Sequence, residues 1–382
     1  MSLSQKEKLA RTKVSFDKIA ISIIQPALPR YRLDFFQRIE RRFPKLKVLS
    51  SYSVNTYSEE KFHWECRLKS PKKLPGGLYW QSGALRVFSQ KNDVIVLTGN
   101  ARYISNVFII LLAKLKHVKT VWWGQYRSPT SSRLSCHLRT LISSMADYRL
   151  FYTDQELSEF VASRKASAPR AFALNNGIDV SSISQFLKPY EARDRPRRIL
   201  FIGRFTEKSE VLLLLKALSL PQCEGIEAQL IGEGDLFAAA EKLAQRLGIS
   251  DRVNFLGEVN EESSIAKLAN TCRMLVYPGC VGLSLIHGMA YELPSVLHSD
   301  ESNHMPEIAA FESGSTGVVF DRGNAESLAN EIAGIIDDTN SLNRFSLNSI
   351  AIVTRSFNTS DMTERFEKMI SRILDDMNGM TP

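Results

Sequence analysis

RRILFIGRFTEKSEVLLLLKAL, residues 197–218, decides the fold class. The apolar run inside RRILFIG (197–203) is short and closed by a glycine, which is how a buried strand reads. EVLLLLKAL (210–218) is apolar over two turns and reads as a buried helix. The pattern then repeats. AQLIG (228–232) is a strand, and LFAAAEKLAQRLG (236–248) is a helix closed by Gly248. RVNFLG, RMLVYPG and PSVLH continue the strands. Strands alternating with helices, with glycine at the strand ends, predict a parallel sheet covered by helices.

Upstream, the same alternation is looser. IAISII (19–24), LKVLSSY (46–52), DVIVLTG (93–99), KTVWWG (119–124) and YRLFYT (148–153) read as strands. YRLDFFQRIERRF, Tyr103–Leu115 and Ser132–Met145 have helical spacing. Residues 55–90 read as irregular, with room for a hairpin. PYEARDRPRR, near 185–197, is charged and nearly devoid of apolar residues, so a boundary is expected there. The expectation is an α/β chain of two doubly wound, Rossmann-like domains, residues 1–190 and 191–356. Ligands bind such folds at the carboxyl edges of their sheets, so a cleft between two such edges suits a nucleotide and a second substrate.

The chain has 382 residues, 44% hydrophobic and 24% charged, which excludes a disordered or fibrous protein. Its net charge of +8 hides a split: residues 1–190 carry 31 Lys and Arg against 13 Asp and Glu, and the rest carry 18 against 28. The first half is therefore attracted to something anionic. Cys66, Cys136, Cys223, Cys272 and Cys280 are scattered and odd in number, as reduced thiols would be. MSLSQKEKLARTK has no apolar core, so it is no signal peptide, and no apolar run approaches a membrane span. A cytoplasmic protein is expected, soluble or peripheral on the inner face of the plasma membrane. Arg102–Lys119 mixes Phe108, Ile110 and Leu111 with Lys114, Lys116 and Lys119. That composition suits an anionic membrane surface, and equally a buried helix with a solvated lysine-rich end.

Three clusters carry chemistry. Gly203–Lys208 follows a strand and offers an arginine fork and a lysine point charge, suited to a diphosphate. A solvated loop with Lys208 paired to Glu210 fits the same spacing. Ile231–Asp235 is a glycine turn before a helix, either an anion site or a tight turn capped by Asp235. Tyr277–His287 runs from a strand through a glycine loop into a helix near Gly282, whose free amides attract phosphate. His287, one turn in, fits a ligand contact or a satisfied core-edge histidine.

GRFTEKSEVLLLLKAL, LIGEGDL with RLGISDRVNFLGEV, and YPGCVGLSLIHGMAYELPSV together resemble successive blocks of the retaining, nucleotide-sugar-dependent glycosyltransferases of the GT-B fold, the large family 4. QPALPRYRLDFFQRI, VWWGQYR and ALNNGID resemble the acceptor-side domain of members that build bacterial polysaccharides. SFNTSDMTERFEKMISRIL resembles the last helix (357–378), which in that fold crosses back to the first domain.

The resemblance implies roles residue by residue. Arg204, after Gly203, matches the arginine holding the donor diphosphate. The family lysine and the glycine after it fall on Ser209 and Glu210, with Lys208 one place earlier. Two family glutamates, eight apart, fall on Gly279 and His287. Gly279 has no side chain to reach the sugar, and His287 can still hydrogen-bond a ribose. Gly282, Leu283 and Ser284 match the backbone that meets the diphosphate, and Glu307 a recurrent Pro-Glu. Gln125 stands where members carry a histidine beside the sugar. Pro29, Tyr31 and Arg32 fall on the acceptor side.

The implied reaction moves a sugar from a UDP- or GDP-sugar to a glycan or lipid-linked hydroxyl in cell-surface polysaccharide synthesis. No Asp-x-Asp cluster appears, so a metal-independent site is expected, with protein cations stabilising the leaving diphosphate. No cofactor is implied. The departures at the donor positions fit an adapted subgroup or a degenerate enzyme. Trp122, Trp123, Tyr126 and Arg127 raise a nucleic-acid surface as the competing class, against a strand end packed into the core. No nucleic-acid motif is present, and no nucleic acid is expected as a partner.

Overall fold

The computed structural model describes residues 16–51, 62–126, 133–164 and 170–379. The opening MSLSQKEKLARTK, residues 55–61 and Arg127 lie outside them, as does the side chain of Cys136. The first domain runs β1 (Ala20–Gln25), α1 (Leu33–Arg42), β2 (Lys45–Ser51), β3 (Glu65–Leu68), a hairpin of β4 (Lys72–Leu74) and β5 (Leu78–Trp80), β6 (Val94–Thr98), α2 (Ile104–Leu115), β7 (Lys119–Trp123), α3 (Arg133–Met145), β8 (Tyr148–Phe151), α4 (Asp154–Arg164) and β9 (Ala171–Ala173). Its parallel sheet has the order β3-β2-β1-β6-β7-β8-β9. The stretch read as irregular thus supplies the expected hairpin and also an edge strand, β3. All six residues of β1 are buried, because helices cover both faces of the sheet.

The second domain runs α5 (Val180–Ser184), β10 (Arg198–Ile202), α6 (Val211–Leu218), β11 (Glu227–Ile231), α7 (Phe237–Arg246), β12 (Val253–Phe255), α8 (Glu262–Ala269), β13 (Met274–Tyr277), α9 (Leu283–Ala290), β14 (Ser295–His298), β15 (Gly317–Phe320), α10 (Ala325–Ile336) and α11 (Thr339–Ser356). Its parallel sheet has the order β12-β11-β10-β13-β14-β15. In both sheets the order reverses beside the first strand, which opens a crevice at the carboxyl edge. Ile178, Ile183 and Ala192 lie in this second core, so the chain enters the domain at Gly177, ahead of residue 191.

The last helix, α12 (Thr359–Met377), returns to the first domain. Met362, Phe366, Met369, Ile370 and Ile373 join that domain's core, and Phe366 meets Phe35 and Phe43 edge-on. The two crossings between domains touch. A Cβ on Gly177 would sit 2.2 Å from the backbone of Phe357, so only glycine lets the strands pass. The Thr359 amide donates to the Ile178 carbonyl at 3.0 Å beside them.

Candidate active site

The second domain's loops are built on two strand ends. After β10 the chain turns at Gly203, where a Cβ would lie 2.8 Å from the Tyr277 ring. Arg204 and Lys208 then project from the loop, both exposed. Neither side chain has a hydrogen bond or ion pair with a described residue. Lys208 is not paired with Glu210, which leans instead toward Arg322 at 3.9 Å. Ser209, where the family places its lysine, is buried and closes a reciprocal cap with Thr206. Glu210, where the family has glycine, holds φ 49° and ψ 34°. The left-handed turn is therefore kept although the residue best suited to it is absent.

After β13 the chain passes under that first loop. The Cys280 amide donates to the Lys208 carbonyl at 2.8 Å, and a Cβ on Gly279 would sit 2.2 Å from the same oxygen. Gly279, expected among the donor-binding residues, is a packing position, and a glutamate cannot be restored there without moving the loop. The Val281 amide donates to His304 Nδ1 at 3.2 Å, and the Met305 amide to the Val281 carbonyl at 2.9 Å. His304 stacks on His298 at 3.7 Å and donates from Nε2 to the His298 carbonyl at 3.0 Å. Burial and the neighbouring His304 hold the His298 imidazole down to about 4, and burial lowers His304 as well. With Val281 so committed, the next three amides, of Gly282, Leu283 and Ser284, open α9 with no acceptor among the described residues. Amides without an acceptor among the described residues at a helix start, with Arg204 and Lys208 on the adjoining loop, supply the chemistry that an anion site needs.

His287 does not stand alone. Its Nε2 is 2.8 Å from Glu262 Oε1, and its ring lies 5.4 Å from Tyr291, whose hydroxyl also donates to Glu262. Burial raises the Glu262 carboxyl, but the bonds from His287 and Tyr291 outweigh it and hold it below the usual carboxylate range. Arg30 of the first domain adds its field to the same carboxylate. Sequence reasoning missed Glu262, because it lies in the acidic run EVNEESS and reads as a solvated helix start.

On the first-domain side, Pro29 and Tyr31 lie on the β1–α1 loop, Tyr31 exposed. Arg32, expected to meet the acceptor, is buried, its guanidinium 4.4 Å from the Trp123 ring and 5.7 Å from Tyr152. Glu307, expected at the donor, is also buried and bridges the domains: Asn176 Nδ2 donates to its Oε1 at 2.7 Å. Burial pushes the Glu307 carboxyl up. Its other oxygen lies 3.6 Å from where a Cβ of Gly282 would be, so it also walls the glycine loop. Gln125 lines a narrow gap with Trp122, Arg139 and Phe160, all first-domain residues. Trp122 and Trp123 are buried, so they present no stacking platform to a nucleic acid. Among the described residues, no three His, Cys, Asp or Glu side chains are grouped to hold a metal, and no helix is long and apolar enough to cross a membrane. Cys66, Cys223, Cys272 and Cys280 are free thiols.

Residues 183–351 match the family model "Glycosyl transferases group 1". The N-acetyl-alpha-D-glucosaminyl L-malate synthase of Bacillus anthracis is 22% identical over 52% of this chain and 51% of its own, so the match spans about half of that relative. The Anabaena HepE structure with UDP and glucose superposes with a TM-score of 0.68 at 16% identity, over 92% of this chain and 99% of that one. A glycosyltransferase from Rickettsia africae gives 0.71 at 14% identity, over 94% and 99%. Residues 183–351 are thus similar to the group 1 glycosyltransferases, and the chain as a whole has two Rossmann-like α/β domains, the fold of the solved GT-B glycosyltransferases that it superposes on.

Proposed function

We propose that the protein transfers a sugar from a nucleoside-diphosphate sugar, UDP- or GDP-linked, to a hydroxyl of a glycan or lipid-linked acceptor, with retention of anomeric configuration. The observation that carries the reading is the set of amides at Gly282–Ser284, next to the loop of Arg204 and Lys208, all without a partner among the described residues. As the bond to the leaving diphosphate breaks, charge grows on its oxygens. The amides, the α9 dipole and the two cations stabilise that charge more in the transition state than in the ground state. The nucleoside ribose lies toward the His287–Glu262 pair, whose carboxylate stands in for the family glutamate at position 287. The retaining outcome and a role in cell-surface polysaccharide synthesis rest on the sequence resemblance, and the UDP complex of the Anabaena structure supports the donor class.

Release of UDP or GDP from a panel of their common sugar conjugates, with and without simple glycan acceptors, tests the reading. One donor is expected to turn over. Arg204→Ala removes a charge-assisted contact of about 1.5–3 kcal/mol, so donor use falls roughly 10–150-fold with the fold intact. Full activity in that variant would move the diphosphate elsewhere. Binding without turnover would mark a degenerate enzyme.

A further inference from the structure

We propose that the face formed by α2 and the β4–β5 hairpin docks reversibly on an anionic lipid surface. Helix α2 has two sides. Ile109, Ile110 and Ala113 are buried in the first domain, while Phe108, Leu111 and Leu115 leave 51%, 47% and 78% of their surfaces exposed. These three follow one another at helical spacing, so they form a single stripe. The hairpin extends it. Trp80 meets Phe108 edge-on at 5.4 Å, and Lys72 pairs with Trp80 in the antiparallel register, which puts both side chains on one face of the hairpin. The short turn Ala84–Ser89 packs against the same helix and exposes Leu85 and Arg86.

Charge identifies the occupant. Residues 66–146 hold thirteen Lys and Arg and a single acid, Asp93. Asp93 is turned onto the Ala20 amide at 2.8 Å. Lys72, Arg86, Lys114 and Lys116 are exposed on the elements that carry the apolar stripe, and Arg102 is exposed just ahead of α2. A narrow row of large apolar side chains ringed by cations, with no acid between them, matches the headgroup boundary of an anionic bilayer. Nucleic acid leaves Leu111 and Leu115 without a partner, and a second copy would set cation against cation. At the opposite end, Arg102 and Tyr103 open α2 from the carboxyl edge of β6, the edge that faces the cleft. A docked molecule therefore holds its cleft near the membrane plane.

Co-sedimentation of the full chain with vesicles tests this without any reference to sugar transfer. The protein is expected to pellet with phosphatidylcholine–phosphatidylglycerol vesicles, to stay in solution with phosphatidylcholine alone, and to release as salt shortens the screening length. Lys114→Gln with Lys116→Gln should weaken binding roughly 30-fold, at about one factor of five per cation. Leu111→Ser with Leu115→Ser should abolish the part that resists salt. Lys242→Gln, an exposed cation of the second domain, should change nothing. Circular dichroism confirms that each variant is folded. Equal recovery in the supernatant with both vesicle types at low salt overturns the proposal. So does an equal loss in Lys242→Gln, or single-stranded RNA that displaces the vesicles at matched salt.

Discussion

His287 shows what a single substitution does to its surroundings. In the family pattern a glutamate stands there; in this chain the carboxylate is Glu262, 2.8 Å from the imidazole. Restoring the family residue therefore sets two half-buried carboxylates face to face. His287→Glu is expected to lower stability by about 1–3 kcal/mol at neutral pH and to weaken nucleotide binding. The deficit should shrink as the pH falls from neutral toward about 4.3, because repulsion raises the pKa of one of the two acids and it takes up a proton before a free glutamate does. His287→Gln, which can still donate to Glu262, should stay near wild type. Thermal midpoints at neutral and acidic pH distinguish the cases, and a His287→Glu protein as stable as wild type at both would mean that Glu262 is not the partner. None of this was legible in the sequence, where 25 residues separate the pair and Glu262 lies among other acids. The place of Arg204 was legible, directly after a glycine-terminated strand, while its role rests on the resemblance, because a solvated loop fits the same spacing. Ser209 was not. A serine where a lysine is expected reads as a loss, and only its burial and its cap with Thr206 show that it shapes the loop.

At the scale of elements, the glycine loop is held by the turn after β14. His304 accepts from Val281 only while neutral, since its Nε2 proton is committed to the His298 carbonyl. Both imidazoles titrate below the ordinary 6.5, His298 near 4. A base whose folded value is depressed contributes stability that is complete above its unfolded value and lost as the pH falls toward the folded one. Stability should therefore decline from pH 6.5 downward toward 4. Facing the pair are Asp300 and Arg322, which carry opposite charges. In His304→Gln the amide replaces both hydrogen bonds and cannot protonate, so the decline should be shallower. Melting temperatures measured between those pH values check this, and an unchanged slope contradicts it. The strands around this loop were readable because parallel strands buried on both faces are short apolar runs ended by glycine. The helices α8, α10 and α11 were not, since their polar faces dilute the pattern, and β15 is only the four residues GVVF.

For the whole molecule, the decisive contacts join residues far apart in the chain. Asn176 and Glu307 are 131 positions apart and form a buried bond between the domains. Asn176→Ala leaves the Glu307 carboxyl buried without its donor, at a cost of about 1–3 kcal/mol, and should loosen the contact between the domains. Scattering profiles should show a more open particle, and donor KM should rise more than the thermal midpoint falls. An unchanged profile would make the contact incidental. The two-domain division was visible in the charge split and the repeating pattern. The passage between the domains was not: ALNNGID resembles a stretch of the first domain, and only the passage of Phe357 within 2.2 Å of a Cβ on Gly177 shows two chain crossings packed together.

The central claim is that the Gly282–Ser284 amides, with Arg204, bind a nucleoside diphosphate. Calorimetric titration of wild type and Arg204→Ala with UDP and with GDP measures it directly. The account predicts one saturable site in the wild type for at least one of the two nucleotides, weakened roughly 10–150-fold in Arg204→Ala at an unchanged melting temperature. No binding of either nucleotide, or equal affinity in both proteins, would contradict it.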